Sequence, residues 1–321
     1  MVLNLKVALY TISYQGLWYE GDFVPIEKLI PKIADFGYDG ISLSGKRHHA
    51  SPLDLDDNSC IKIKELAKSY GLELVALDTY TNFMDPITEH REAQLVWLKE
   101  LIRLANKLDI SIVKVFPGWM GTTIRNGRGS YDMLYRLLLP YATDLERWTW
   151  IKESIKEGAK WAKEYGITIA VQNHGPPVRP GYEDTLVLIK EINSDNVKMC
   201  LDIGLGCFDP ITQQSEEYIS KAVRECRDLI VYSHFNGKFR ETLNNDFIQE
   251  PYDAPGITPP GGSIINYEVF IRELKKIGYR GYLAYEVCGP VLKNHMYQGI
   301  DEVDRLVKAA LGYMRKLISM Y

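Results

Sequence analysis

The sequence is poor in cysteine and contains no long apolar run. Its 321 residues include five cysteines, with no CxxC pair or other short zinc spacing. We interpret them as reduced thiols of the protein interior, which excludes a disulfide framework. They are Cys60, Cys200, Cys207, Cys226 and Cys288. No stretch of about 18 apolar residues predicts a transmembrane helix, and the first residues lack the pattern of a signal peptide. These absences predict a cytoplasmic protein with no membrane partner.

The sequence also lacks a strong excess of either charge and the common nucleotide and metal motifs. The net charge is −4 and the isoelectric point is about 5.9, so we expect no nucleic-acid partner. There is no P-loop, HExxH or EF-hand loop, and the segment Gly204-Leu205-Gly206 is not followed by the third glycine of a dinucleotide site. The composition, 46% hydrophobic and 25% charged, is that of an ordinary globular protein.

Short apolar runs of β type alternate with longer amphipathic segments along the whole chain. The predicted strands are 6–11, 41–44, 73–78, 112–116, 167–173, 197–202, 229–234 and 282–287. Alternating strands and helices predict a parallel sheet with right-handed crossovers. Eight such units predict an α/β fold, a closed (β/α)8 TIM barrel that forms a single domain over residues 1–321. A doubly wound open sheet is the alternative.

Two connections are longer than ordinary turns between a strand and a helix. They are 117–143 after the fourth predicted strand and 236–265 after the seventh. Both follow the carboxyl end of a strand, where the active sites of TIM barrels lie. Loops of this length are often functional, so we predict lids over a site. Surface decoration or an oligomer contact is the alternative, and a homo-oligomer is compatible with the sequence.

The last four predicted strands each end in a side chain that is able to bind a metal. These are Gln172, Asp202, His234 and Glu286. In a barrel their positions share one rim, and mixed oxygen and nitrogen ligands suit Mn²⁺, Mg²⁺, Co²⁺ or Zn²⁺. Each residue alone has an ordinary explanation: Asp202 as a helix cap, His234 as a core histidine, and Glu286 as an ion-pair partner. Together they predict a site for one divalent metal ion.

Other residues near the same predicted rim are candidates for catalysis or substrate binding. His174 lies two residues beyond Gln172 and suits proton transfer near neutral pH; a loop histidine that caps the backbone is the alternative. Lys114 alternates with inward-facing positions and is a candidate for binding substrate or an anion, unless it forms a structural ion pair. Trp119 directly follows the fourth strand and is a candidate sugar platform, with core or lid packing as the alternative.

Two further candidates for substrate binding lie in loops. His49 follows the second strand, where a place on the plain loop surface is the alternative. Arg240 lies on the long loop after the seventh strand and is a candidate for binding a phosphate or carboxylate. A solvated surface charge is the alternative for Arg240.

The motifs at these strand ends resemble a known family. VQNHG, CLDIG, VYSHFNG and GYLAYEVCG are similar to the four metal-ligand strands of the xylose-isomerase-like TIM-barrel superfamily, which includes sugar phosphate isomerases and epimerases. The stretch GGSIINYEVFIRELKKIGYRGYLAYE resembles its final helix and strand, and FGYDGISLSGKRHHASPLD its second-strand region. The resemblance covers nearly the whole chain. It implies that one divalent metal is held at Gln172, Asp202, His234 and Glu286, and that the substrate is a carbohydrate.

The sequence departs from that family at three positions. Gln172 stands where the family has glutamate, Leu205 where a histidine commonly helps to bind substrate, and Asn236 where an acid often follows the histidine of the seventh strand. The family's 3-epimerases use two glutamates as acid and base on opposite faces of one carbon. A glutamine does not exchange protons in that way, so the departure at Gln172 argues against two-glutamate epimerisation.

We hypothesise a metal-dependent isomerase or epimerase that acts on a sugar or keto-sugar by proton transfer through an enediolate. Glu286 is the candidate base, with His174 or a water molecule as its acid partner. A lyase or dehydratase on a keto-sugar or inositol derivative is the first alternative, because it needs the same enediolate and a single base. A non-catalytic sugar-binding barrel is an alternative of another class.

Overall fold

Eight parallel strands form a closed barrel in the computed structural model, which describes residues 5–119, 121–125, 127–130, 141–175, 178–179, 181–209, 211–251 and 261–321. The barrel strands, β1 to β8, are Lys6–Tyr10, Gly40–Ser44, Glu73–Asp78, Ile112–Val115, Thr168–Gln172, Val197–Cys200, Ile230–Phe235 and Tyr282–Tyr285. Each strand pairs in parallel with the next, and β8 pairs with β1. The predicted (β/α)8 barrel is confirmed.

A long helix follows each barrel strand before the next one begins. Helices α1 to α8 are Ile26–Phe36, Asp57–Ser69, Thr88–Lys107, Asp144–Glu164, Glu183–Ile192, Glu216–Cys226, Tyr267–Lys276 and Ile300–Met320. Capping residues in the sequence determine where several of these helices begin or end. Thr143 and Glu146 form a reciprocal capping box at the start of α4, and Gly37, with φ of +92°, ends α1. None of the helices described here is long and apolar enough to cross a membrane.

The two faces of the barrel strands pack in different clusters, and this difference makes room for the site. Successive side chains point to opposite sides of a strand, so residues such as Ile169 and Val171 pack in the main core. The inward positions belong to a second cluster that is rich in small residues, including Ala8, Ala76 and Ala170. Small side chains inside the barrel leave space for the longer polar residues at the carboxyl ends of the strands.

The connection after β4 contains a short antiparallel hairpin, Thr123–Arg125 with Arg128–Ser130. The backbone N–H of Gly129 donates to the carbonyl of Leu17 at 2.7 Å. A Cβ on Gly129 would lie 2.8 Å from the ring of Trp18, so only glycine allows this approach. The hairpin is therefore docked on the loop after β1. Residues 131–140 of the predicted lid lie outside the described residues.

The connection after β7 contains a second hairpin, Lys238–Glu241 with Phe247–Glu250. Phe239 is fully buried, and its ring lies 4.8 Å from that of Tyr313 in α8. Lys316 of α8 forms an ion pair with Asp246 at the hairpin turn. This part of the predicted lid is therefore docked on a helix. Residues 252–260 lie outside the described residues.

Candidate metal centre

Three of the four predicted metal ligands lie together at the carboxyl ends of the strands. Asp202 follows β6, His234 lies in β7 and Glu286 follows β8, and one ligand atom of each lies within 4.8 Å of the others. Glu286 Oε2 is 3.5 Å from His234 Nδ1. Asp202 and His234 are fully buried, whereas the side chain of Glu286 is 11% exposed. The three donors converge on one volume, and Glu286 is the least buried of them.

Gln172, the fourth predicted ligand, also contacts this cluster. Its Nε2 donates to Asp202 Oδ2 at 3.2 Å and lies 3.5 Å from His234 Nδ1. Its Oε1 is buried and has no hydrogen-bond partner in the part of the chain described. A buried carbonyl oxygen of this kind calls for a partner, and a half-turn of the amide exchanges the oxygen and the nitrogen. A cation in the cluster would then satisfy the oxygen.

Hydrogen bonds from its neighbours fix the position of Asp202, whereas burial disfavours its negative charge. Asn173 accepts from the backbone N–H of Asp202 at 2.8 Å and donates to its carbonyl at 2.9 Å. The N–H of Gly204 donates to Oδ1 at 2.8 Å. Burial, followed by repulsion from Glu286, raises the pKa of Asp202 to about 7. Two carboxyl groups close together in a buried site suit a divalent cation, so the residues present fit a metal.

A buried hydrogen bond across the barrel connects His234 to β3. His234 Nε2 lies 2.9 Å from Asp78 Oδ1, and both side chains are fully buried. Oδ2 of Asp78 accepts from the hydroxyls of Ser42 and, at 3.3 Å, Tyr232. Burial acts to raise the pKa of Asp78, but His234 and Lys114 outweigh it, so the pKa lies below its usual value. Sequence reasoning missed Asp78, although its place as the last residue of a barrel strand could have revealed it.

Lys114 points into the barrel, as predicted, and its charge faces Asp78. Its Nζ is fully buried, 3.7 Å from Asp78 Oδ1 and 3.5 Å from the carbonyl of Thr79. The ammonium also lies 3.5 Å from the ring centroid of Phe116. Burial lowers the pKa of Lys114. This geometry favours the structural ion pair, which was the alternative to substrate binding.

His174 and Trp119 form an aromatic wall together with Phe116. The His174 ring meets Phe116 and Trp119 edge-on, at centroid distances of 5.1 and 4.9 Å, and Trp119 stacks on Phe116 at 5.4 Å. Burial, with Lys114 and His234 adding to it, lowers the pKa of His174 to about 3. His174 is therefore a neutral imidazole, whose buried Nδ1 has no hydrogen-bond partner among the described residues. Such a wall suits the C–H face of a sugar.

Two residues that sequence reasoning did not select extend this surface. Tyr10 is the last residue of β1; its ring lies 5.2 Å from that of His234, and its hydroxyl donates to Tyr80. Lys46, two residues after the end of β2, lies with Nζ 3.8 Å above the Tyr80 ring. Burial, followed by repulsion from Lys114, lowers the pKa of Lys46 to about 8. The position of Tyr10 at a strand end is a signal that the sequence contained.

The structure gives two predicted substrate-binding residues other partners. His49 is only 3% exposed, and its Nε2 donates to the carbonyl of Val24 at 3.0 Å. Arg240 lies on the hairpin that packs on α8, and its Nε is 3.5 Å from Glu250 on the adjoining strand. These contacts favour local roles for both side chains, and substrate binding by His49 and Arg240 stays a prediction.

The barrel and the cluster define a TIM-barrel protein with a candidate metal centre at the carboxyl ends of its strands. The model of the xylose isomerase-like TIM barrel family matches residues 30–317. The chain therefore belongs to that family, as its motifs implied.

Solved structures similar to this chain include sugar epimerases. D-psicose 3-epimerase from Clostridium cellulolyticum H10, solved with D-tagatose, is 19% identical with a TM-score of 0.70, and the match covers 98% of this chain and 99% of that one. 3-Keto-D-glucoside 4-epimerase from E. coli is 16% identical with a TM-score of 0.66, over 98% of this chain and 100% of that one. At these identities the likeness shows the fold.

One sequence relative is closer over a short segment. Fructoselysine 3-epimerase from Escherichia coli O157:H7 is 32% identical over 78 residues, which is 24% of this chain and 26% of that protein. The match thus spans about a quarter of the relative's length.

Proposed function

We propose that this protein is a divalent-metal-dependent isomerase or epimerase that acts on a sugar or keto-sugar. The observation that carries the proposal is the convergence of Asp202, His234 and Glu286 on one volume at the carboxyl ends of the strands. Membership of the family supports it, as do the carbohydrate substrates in the names of the similar proteins. The aromatic wall beside the cluster offers a surface for a sugar ring.

Asp202, His234 and Glu286 would hold the metal, with Gln172 as the fourth ligand after its amide turns. When bound, a divalent ion acts as a Lewis acid toward a carbonyl or hydroxyl of the sugar. The two carboxylates balance its charge, whereas a glutamate at position 172 would add a further negative charge. Gln172 therefore leaves the centre a stronger electrophile and a weaker binder of the metal.

Glu286 is placed to move the proton, because it is the least buried of the charged ligands. Its carboxylate takes the proton from the carbon beside the carbonyl, and the electron pair of that C–H bond passes into an enediolate. Isomerisation follows when the same group returns the proton to the neighbouring carbon and the hydroxyl proton passes to the oxygen of the former carbonyl. Epimerisation needs a donor on the opposite face. Gln172 does not provide one, and His174, with its pKa lowered to about 3, carries no acidic proton near pH 7. A water molecule is left for that role.

Proton exchange in D2O tests the chemistry even while the product is unidentified. Wild-type protein saturated with Mn²⁺ should replace the C–H beside the carbonyl with deuterium in one member of a panel containing D-fructose, D-psicose, D-tagatose and fructoselysine, followed by NMR. Glu286→Gln should lower the exchange rate by about 100-fold or more, the usual contribution of a general base. Glu250→Gln, the same substitution on the hairpin, should leave the rate unchanged.

The alternatives give different results in the same experiment. A lyase or dehydratase, which Gln172 favours because a single base is sufficient, would release water from the sugar and produce a dicarbonyl signal. A sugar-binding barrel would bind a panel member without exchange. Equal exchange by wild type and Glu286→Gln would contradict the assignment of the base.

A further inference from the structure

We infer that Asp78 is a positioning residue for the metal centre: it holds His234 in the tautomer that presents Nδ1 to the metal. The inference rests on the proposed function, because it assumes that the cluster binds a cation. It is carried by the bond of 2.9 Å between Asp78 Oδ1 and His234 Nε2, made across the barrel from β3 to β7.

The direction of the hydrogen bond between His234 and Asp78 defines the tautomer of His234. A carboxylate only accepts, so the proton in this bond belongs to Nε2 of His234. In the neutral ring, which is the form that binds a metal, the remaining nitrogen Nδ1 carries a free electron pair. Nδ1 lies 3.5 Å from both Glu286 Oε2 and Gln172 Nε2. It therefore faces the volume where the other donors converge. Histidines that bind metals commonly give their second N–H to a carboxylate, which fixes the ring and makes the ligand more basic.

The contacts of Asp78 hold its carboxylate in one position. Ser42 and Tyr232 donate to its other oxygen, and Lys114 lies 3.7 Å from Oδ1. All five side chains in this set, including His234, are fully buried. A buried ion pair is often no more stabilising than apolar residues of similar size. The Asp78–Lys114 pair is thus poorly explained by stability alone, whereas an ionised Asp78 serves His234 directly.

The test uses Asp78→Asn, which keeps the shape of the side chain and removes its charge. After removal of bound metal with a chelator, the dissociation constant of Co²⁺ is measured by titration, together with the visible spectrum of the saturated protein. We expect affinity to fall by about 10- to 100-fold and the spectrum to change, because the ligand geometry around Co²⁺ changes. Asp304→Asn is the matched control: Asp304 accepts from Tyr14 at 2.7 Å and pairs with Lys32, and its variant should keep both the affinity and the spectrum.

A second variant covers the case in which Asp78→Asn does not fold. Ser42→Ala with Tyr232→Phe leaves the Asp78 charge in place and removes two donors that orient it, so Co²⁺ should bind several-fold more weakly. A purely structural role predicts lower thermal stability with unchanged affinity and spectrum in the folded variants, and that result would overturn the inference. If wild type itself bound no Co²⁺, Mn²⁺ or Zn²⁺, the proposed function would fail with it.

Discussion

His49 is a buried histidine that the fold keeps neutral. Its Nε2–H donates to Val24, and burial lowers its pKa to about 4. In the unfolded chain the same ring takes up a proton near pH 6.5. The unfolded state therefore binds more protons between these values, and stability is lost as the pH falls through this window.

This difference predicts a pH-dependent loss of stability that His49 causes. Wild-type protein should lose up to about 3 kcal/mol of unfolding free energy between pH 6.5 and pH 4 through this residue. In His49→Gln, which keeps a donor for Val24 and does not titrate, that part of the slope should disappear. Urea unfolding in the presence of a chelator, across pH 4 to 7, measures it.

The control is a histidine on the surface. His295 is exposed, so His295→Asn should leave the slope of stability against pH unchanged. Parallel curves for wild type and His49→Gln would contradict the account of His49.

A substitution at Gln172 distinguishes the two mechanisms considered for this barrel, which use one base or two. Gln172→Glu should tighten metal binding by roughly tenfold or more, because it adds a negative charge at close range. Turnover should fall at saturating metal, because the ion becomes a weaker electrophile. Metal titration and turnover on the substrate found in the D2O experiment measure the two effects.

The opposite result would identify a different mechanism. A two-base epimerase would gain activity when the second glutamate is present, so a large gain in Gln172→Glu would show that the chemistry does not depend on the glutamine. Gln298→Glu adds the same charge elsewhere and should change neither the metal affinity nor the turnover.

At the scale of elements, the hairpin 238–250 is attached to α8 at a glycine. A Cβ on Gly312 would lie 2.5 Å from ring atoms of Phe247. Alanine in a helix is favoured over glycine by about 1 kcal/mol, but crowding of a packed contact typically costs about 1 to 3 kcal/mol. Gly312→Ala should therefore destabilise the protein, as measured by urea unfolding.

The ring itself provides the control for this prediction. In a Phe247→Ala background the obstacle is removed, and Gly312→Ala should become neutral or stabilising. A double-mutant cycle isolates this interaction. The same cost in both backgrounds would show that the ring contact is not responsible.

Sequence periodicity was sufficient for the barrel strands and insufficient for the contacts between distant parts of the chain. Short apolar runs located the barrel strands, because burial on both faces is encoded locally. The candidate ligands at the ends of β6 to β8 were selected by the rule that strand ends share a rim. The bond between Asp78 and His234 joins positions 156 residues apart, so no local sequence pattern predicts it. The hairpin on α8 was missed because Phe239 packs on Tyr313, which belongs to a helix that begins some 60 residues later.

At the scale of the whole molecule, the metal should stabilise the closed barrel. Its candidate ligands come from four adjacent strands, β5 to β8, or from the residues that follow them, and the unfolded chain does not bring them together. At a metal concentration 100 times the dissociation constant, the unfolding free energy should rise by about 2.7 kcal/mol. Thermal and urea unfolding with Mn²⁺ and with a chelator measure the difference.

His234→Ala should remove this stabilisation, whereas Asp304→Asn should retain it. If wild type unfolded identically with metal and with chelator, the cluster would not be a metal centre.

The bond between Asp78 and His234 has a consequence for assembly. It divides the centre between the two halves of the barrel: β1 to β4 supply Asp78 and Lys114, while all four candidate ligands come from the half built on β5 to β8. A second-half fragment would contain every ligand and still lack the group that orients its histidine. We therefore expect metal capture with native geometry to be a late event in folding. Two separately produced halves of the barrel should bind the metal with native geometry only after they recombine.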